Sequence, residues 1–433
     1  MSKIEVNTVE PQCGTTLTLG GSGDTVTLGT GASQSGFGRE GSVDWDTSSI
    51  KTSTFSAVSG NGYFCNTSGG AFTVNLPAGS AGAIVAVSDY SRTFNTYNLT
   101  ISPNGSEKIG GVNDDIKLDV EGQAATFVYV DSTKGWINVQ NSEDTEAAGT
   151  YITATGGTIS TVCTNYKVHV FTGPGTFCVS AGAGPKSKVD YLVIGGGASG
   201  ANNRGGGGGA GGYRESHSVP VSGCYTAAPT AASIPLGPLS PGPISVTVGG
   251  GAPSVAYPPN DQPGGAGSVS TFSTITSAGG GGGGYGTTGT AGGSGGGGGY
   301  PNSAGGAGNT PSVSPPQGNP GGTSSSTNSG SGGGGSGAAG GASSNCNAGN
   351  GGAGLTTEIT GSPVQRGGGG GGSGNSSGGS AGAGGGGAGY GGPSGANPND
   401  DGTANTGGGG GGSRNSPSGG GGSGIVVIRY RFQ

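Results

Sequence analysis

Residues 189–200 read Val-Asp-Tyr-Leu-Val-Ile-Gly-Gly-Gly-Ala-Ser-Gly, and residues 424–432 read Gly-Ile-Val-Val-Ile-Arg-Tyr-Arg-Phe. The first stretch is a run of strand formers that turns into glycine at residue 195, and the second turns back at residue 424. In the second, Ile428, Tyr430 and Phe432 alternate with Val427, Arg429 and Arg431, the period of a β-strand. These two strands bracket the tract 195–424 as though they close one domain. The nature of that tract decides the fold.

Of 433 residues, 111 are glycine, about four times ordinary usage, which is roughly 7 %. They divide unevenly, with 27 in residues 1–194 and 84 in residues 195–433. Charge divides with them: the first part has a net charge of -7 and the second +1, with no lysine beyond residue 194. Only 29 % of residues are hydrophobic and 9 % charged. An ordinary single-core enzyme over the whole length is excluded, as is charge-driven disorder. The glycines come in runs, not at every third position, which excludes collagen.

Eight runs hold four or more glycines: 205–209, 279–284, 295–299, 332–335, 367–372, 384–387, 407–412 and 419–422. A flexible linker is the default meaning of such sequence. Ordering each glycine costs about 0.5–1 kcal/mol more than ordering alanine, so an ordered tract needs a dense compensating network. Packed polyglycine-II rods supply one. In the polyproline-II conformation every N–H and C=O points sideways, and without Cβ atoms neighbouring rods can touch and hydrogen-bond in all directions. A net gain near 1 kcal/mol per hydrogen bond offsets the entropy. The recurrence of similar runs between varied loops, and the bracketing strands, favour the packed form.

Upstream, residues 43–142 carry eight short strand-like runs: Thr54–Val58, Gly62–Cys65, Ala71–Leu76, Ile84–Val87, Asn98–Ile101, Lys117–Val120, Ala125–Val130 and Gly135–Val139. Turn clusters separate them, which predicts an antiparallel β-sandwich or jelly roll with Trp136, Phe127, Tyr129, Phe72 and Phe64 in its core. Residues 143–150 read as a polar linker, and 151–433 as a glycine-rich domain with further strands at Lys167–Phe171 and Gly175–Val179. Residues 1–42 contain a nine-residue near-repeat, 16–24 and 25–33, each with four alternating β-formers before a turn-prone tail. Four aliphatic side chains cannot build a core, so this segment needs partner chains, and three intertwined copies would meet the need. The expected fold is therefore mainly β with almost no α-helix. The arrangement expected is an elongated trimer with an intertwined N-terminal segment, a sandwich, and a distal sandwich of β-strands and polyglycine-II rods over 195–424.

Several motifs imitate catalysis. Gly195, Gly197 and Gly200 match G-x-G-x-x-G after a strand, and Glu215 follows at the distance of a ribose-binding acid. A dinucleotide site also needs a helix whose N-terminus holds the pyrophosphate, and Ala-Asn-Asn-Arg with five more glycines cannot form one. Two histidines, His169 and His217, and no cysteine at ligand spacing argue against a metal or a His-based triad. Asp114–Asp115 and Asp400–Asp401 read as turn acids. The six cysteines form no CxxC pair and read mostly as free thiols, with Cys163–Cys178 the one bridge to consider. The expectation is a non-enzyme without cofactor or metal. Acidity overall gives no support for nucleic-acid binding, no stretch is long enough to span a membrane, and the start lacks a signal-peptide core.

The opening Ser-Lys-Ile-Glu-Val-Asn-Thr-Val-Glu-Pro-Gln-Cys-Gly-Thr-Thr-Leu-Thr-Leu-Gly resembles the N-termini of tail fibres from marine, cyanophage-like tailed phages. So do Val43-Asp-Trp-Asp-Thr, Ala71-Phe-Thr-Val-Asn-Leu-Pro and Val128-Tyr-Val-Asp-Ser-Thr-Lys-Gly-Trp136. The segment from Val189 through Gly-Gly-Ala-Gly-Gly-Tyr-Arg-Glu215 to the last strand is similar to a glycine-rich module that often terminates such fibres. The resemblance implies a homotrimer in the virion, made in the host cytoplasm. One end would be held by a tail or adaptor protein through its N-terminus. The glycine-rich tip would bind a bacterial surface receptor, a polysaccharide or an outer-membrane protein. Candidate contact loops are Ser216–Leu236, Ala252–Pro263, Tyr300–Asn328 and Tyr390–Thr406, with Tyr257, Asp261, Tyr300, Tyr390, Asp400 and Asp401 as candidate binding residues. A tailspike that degrades polysaccharide and a glycine-rich structural or ice-binding protein are the alternatives.

Overall fold

The computed structural model describes residues 43–140, 151–182, 186–218, 225–258, 261–325, 327–392 and 400–432. The near-repeat of residues 16–33 and the linker 143–150 lie outside them. The described residues contain no α-helix, and the chain is mainly β.

Residues 43–140 form nine strands: β1 (Asp44–Lys51), β2 (Phe55–Ser56), β3 (Asn61–Cys65), β4 (Phe72–Asn75), β5 (Ile84–Asp89), β6 (Leu99–Ser102), β7 (Ile116–Leu118), β8 (Ala124–Asp131) and β9 (Gly135–Asn138). Each of the eight expected strand runs overlaps one of them. The chain lays them alternately into two sheets, β1-β3-β5-β8-β9 and β2-β4-β6-β7. Consecutive strands from β1 to β6 therefore belong to different sheets, and same-sheet neighbours run parallel: β1 with β3, β3 with β5, β2 with β4 and β4 with β6. The antiparallel expectation holds only from β6 onward, at β6–β7, β5–β8 and β8–β9. Up to β6 the turn clusters are corners between sheets; only the β6–β7 and β8–β9 connections stay within one sheet. Inner faces close on Trp136, Phe127, Phe72, Leu99, Ile101 and their neighbours, with Tyr129 packed at the margin. Phe64 departs from expectation. Tyr63 and Cys65 take the inward positions of β3, so Phe64 faces the other way and lies 4.9 Å from Trp45.

The rest of the chain begins with β10 (Thr153–Thr155), β11 (Thr158–Val162), β12 (Tyr166–Phe171), β13 (Gly175–Ala181), β14 (Asp190–Ile194), β15 (Tyr213–Glu215), β16 (Gly242–Thr247), β17 (Ser270–Phe272) and β18 (Ile275–Ser277). A hairpin of β19 (Leu355–Thr357) and β20 (Val364–Arg366) and the final β21 (Ile425–Arg431) complete it. Two sheets, β10-β13-β16-β17-β18 and β11-β12-β21-β14-β15, enclose a core of Phe177, Phe272, Tyr191, Val193, Val426 and Ile428. The bracketing strands pair directly, Ile194 with Ile425 through Asp190 with Arg429. Alternation along β21 sends Val426, Ile428 and Tyr430 to this core, while Ile425 and Val427 face a second cluster with Leu192, Val168 and Tyr225. His169 is a core residue, bonded to the Gly156 carbonyl (2.7 Å) and the Tyr430 hydroxyl (3.0 Å), and burial lowers its pKa. Cys163 is disulfide-bonded, whereas Cys65, Cys178 and Cys346 are free. The Cys163–Cys178 bridge is therefore not formed, and among the described cysteines Cys163 is the exception to the mostly free-thiol reading.

Beyond Ile194 no helix follows among the described residues. Gly195 opens an extended rod, and the glycine tract is a bundle of such rods joined by backbone hydrogen bonds. Residues 205–212 show the rule. Gly206, Gly209 and Gly212 donate to the carbonyls of Gly284, Gly281 and Ala278; Gly207 and Ala210 donate to Ser331 and Gly334; Gly208 and Gly211 donate to Gly410 and Gly407. Every third residue addresses the same neighbour, the three-fold screw of polyglycine II. Three further rods donate back. They do so from Ala198 and Ala201, from Ser294 and Gly297, and from Gly370 and Ser373. This central rod thus has six neighbours. It spans roughly 25 Å at about 3.1 Å per residue. A Cβ on Gly208 would sit on the Ala198 carbonyl, and one on Gly207 on the Gly370 carbonyl, which is why the sequence is glycine there. The run 384–387 does not form a rod throughout. Gly384 and Gly385 have φ of +98° and +96° and make a turn.

Candidate functional site

Rods run up and down, so their connections alternate between the sheet end and the far end. The chain leaves the sheets at Gly195, turns at residues 202–204, and returns along the central rod to β15. The far end gathers the turns at 202–204, 285–288, 300–303, 323–325, 327–329, 343–347, 374–377 and 413–417, with residues 253–258 and 261–262 beside them. Hydrogen bonds tie these turns laterally. The Asn203 amide donates to Asp261 and, at 3.4 Å, to the Tyr285 hydroxyl. Arg204 Nε donates to Asn375 Oδ1 (3.0 Å), and the guanidinium lies 5.0 Å from the centre of the Tyr300 ring. The Asn375 amide reaches Asn328 Oδ1 (3.1 Å), Gly374 N–H donates to the Tyr390 carbonyl, and Arg414 Nη1 donates to the Gly392 carbonyl (3.1 Å).

Local chemistry explains why asparagine recurs. Asn203, Asn302, Asn345 and Asn415 all have positive φ, the conformation that reverses the chain between antiparallel rods and that asparagine tolerates best after glycine. The carboxylate of Asp261 is exposed and held below its ordinary pKa by the hydrogen bonds from Asn203 and Tyr285. The result is a surface of tyrosine, asparagine and charged groups fixed on a rigid backbone lattice. It can bind through amphipathic rings and planar amides at small entropic cost.

The structure brings together four of the six expected residues. Asp261, Tyr300 and Tyr390 lie on this end surface, and Tyr257 sits half-buried on the adjoining loop, where Asn202 bonds the Ala256 carbonyl (3.1 Å). Asp400 and Asp401 instead terminate a rod. The Asp401 carboxylate accepts the Gly420 N–H (2.7 Å), and the Asp400 carbonyl accepts Gly411 N–H (2.6 Å). Burial, reinforced by Asp401, pushes the Asp400 carboxyl up to about 6. Of the expected loops, 216–236 is elsewhere. Its described residues, 216–218 and 225–236, fold back on the sheets through bridges Ser216–Ala232 and Val189–Leu236. Residues 309–317 of the third loop turn at the sheet end, where Tyr213 N–H bonds the Gln317 carbonyl (2.8 Å). Asn203, Arg204, Tyr285, Asn375 and Arg414 were missed. The signal for the first two was visible as Ala-Asn-Asn-Arg between glycine runs.

The apparent dinucleotide motif dissolves in this geometry. Gly197 and Gly200 donate to Gly422 and Gly419 in a neighbouring rod. Glu215 is buried, and its carboxylate accepts hydrogen bonds from Tyr213, Tyr225 and Thr357, each 2.6 Å. It locks β15 to β19 and to the loop at 225–228. No group of three His, Cys, Asp or Glu residues is placed to hold a metal among the described residues.

Two β-sheets continued into a lattice of glycine rods, with the connecting loops exposed at the lattice end, define the class: a glycine-lattice β protein. The chain belongs to the glycine-rich domain family, whose model matches residues 170–431. That match begins in β12 and ends in β21, so it takes in the pair of bracketing strands and every rod between them. No curated protein matches the chain.

Proposed function

We propose that the protein is the tail fibre of a bacteriophage and that the loops at the end of its glycine lattice bind a receptor on the bacterial surface. The observation that carries this reading is the division of labour in residues 195–424. The lattice interior is backbone, so nearly all side-chain variety is delivered to the turns, and those at the far end present tyrosine, asparagine and charged groups on one surface. The likeness of the N-terminal sequence to marine phage fibres supplies the biological setting. In that setting residues 1–42 attach to a tail or adaptor protein and three chains associate. Exposed Trp45, Ile50, Val58 and Val130 offer apolar surface for that association. The role is binding, not catalysis.

Exchanging the loops at 253–262, 300–303 and 390–399 for those of a related fibre tests the reading. Host range follows the loops if they recognise the receptor. Unchanged adsorption by the exchanged phage rejects it.

A further inference from the structure

At the opposite end of the two sheets from the glycine lattice lies a cavity of about 410 Å³ lined by Tyr151, Tyr166, Lys186, Lys188, Asp190, Ser218, Ser233, Pro235, Arg429, Tyr430 and Arg431. Strand register creates it. Tyr166 pairs with Arg431 and Asp190 with Arg429, so these four residues collect at one end of β12, β14 and β21. We propose that this cavity is a binding site for an acidic sugar, a saccharide unit bearing a carboxylate or sulfate.

Three observations support it. Four cations face a single carboxylate in the lining, and that carboxylate is already engaged by Arg429 at 3.7 Å and by the Ser218 hydroxyl at 3.0 Å. Three of the four cations are positioned by aromatic rings. The Arg429 guanidinium lies 3.8 Å from the Tyr166 ring centre and 4.6 Å from that of Tyr225, while Lys186 and Arg431 lie 4.9 and 5.2 Å from Tyr151. Such stacking holds positive charge in place before a ligand arrives. The walls also carry the Ser233 hydroxyl and the apolar ring of Pro235, which suits a ring with both hydroxyls and an anionic group. The volume lies in the range of small-ligand sites, about 300–1,000 Å³. Nothing in this argument depends on the receptor-binding reading, because the cavity and the lattice loops are separated by the whole length of the rods.

Calorimetric titration of the full chain with glucuronate, glucose 6-sulfate, glucose and inorganic sulfate tests the assignment. Glucuronate or the sulfated sugar is expected to bind one per chain, at least about tenfold more tightly than glucose, and to weaken as salt is raised. Lys188→Gln and Arg431→Gln, both at exposed positions, are each expected to weaken that binding severalfold while the melting temperature stays unchanged. Equal binding of glucose and the charged sugars, no binding at millimolar ligand, or full binding by both variants overturns the proposal. Inorganic sulfate binding as well as the sugars also overturns it, since the site would then read charge alone. Exchange of the lattice-end loops leaves the titration unchanged if the cavity is the site.

Discussion

At the scale of single residues, one buried and one half-buried group make stability depend on pH with opposite signs. His169 is enclosed by Phe177, Tyr430 and the Gly156 carbonyl, and burial depresses its pKa. The unfolded chain therefore takes up a proton first, and stability present above the ordinary histidine pKa is lost as pH falls below it. Between about pH 7 and 5 the melting temperature of the parent is expected to fall more steeply than that of a His169→Gln variant. Equal slopes would show that His169 carries no penalty. Asp400 is the reverse case. Its folded pKa is raised to about 6 by burial and by Asp401. Stability is complete below the ordinary carboxylate range and declines as pH rises through about 6. Asp400→Asn removes that loss, so the variant gains melting temperature over the parent at about pH 8 and much less at about pH 4. A gain of the same size at both values would mean that the effect is packing, not charge.

At the scale of the element, the rod has no side chains to bury, and its stability rests on how closely backbones approach. Gly208 is the sharpest test. It lies on the central rod, its missing Cβ points at the Ala198 carbonyl, and its own carbonyl receives Gly370 N–H. Gly208→Ala forces backbone apart in a lattice where each neighbour is bonded to others, and the expected cost is at least about 2–3 kcal/mol. Gly250 lies in the same tract with open space where a Cβ would go, so Gly250→Ala is expected to fall within about 0.5 kcal/mol of the parent. Chemical denaturation of the two variants decides the matter, and equal stabilities would sink the close-approach argument. The same physics explains what the sequence disclosed. Glycine runs marked the rods, and alternation in Ile425–Arg431 marked the last strand to within a residue. Glycine carries no pattern that names a partner, however, so the six neighbours of residues 205–212 could not be read. Register is instead set by interruptions such as Ser331 and Ser373, whose hydroxyls bond the carbonyls of Gly298 and Ser413. β1 was missed because Asp-Trp-Asp-Thr-Ser-Ser-Ile-Lys lacks a strand-like alternation and is largely exposed. Tyr300 and Asp261 were legible as site candidates because they sit in loops rich in proline and asparagine. Asp400 and Asp401 read like the other candidates in sequence, and only the fold places them at a rod terminus, where they accept backbone N–H groups.

At the scale of the whole molecule, the core clusters do not share residues across the middle of the chain. One is built entirely from residues 57–136, and the other two from residues 152–430. Within the second group, the lattice and the sheets are continuous. Gly195 and Gly424 extend paired strands directly into rods, and Ser270 bonds the Ile194 carbonyl (2.7 Å) at the junction. Order in the glycine tract should thus depend on β14 and β21 and not on residues 43–140. A fragment of residues 150–433 is expected to keep the full chain's hydrogen-exchange pattern, with amides 206–212 among the slowest because every neighbour must separate before they open. Amides of the connecting turns should exchange early in both. Deleting residues 425–433 removes the strand that β12 and β14 both pair with, and should abolish the slow class throughout the rods. If amides 206–212 of the intact fragment exchange as fast as an unfolded chain, the rods require residues 43–140 or partner chains to order. If they stay slow after the deletion, the rods hold together on backbone hydrogen bonds alone.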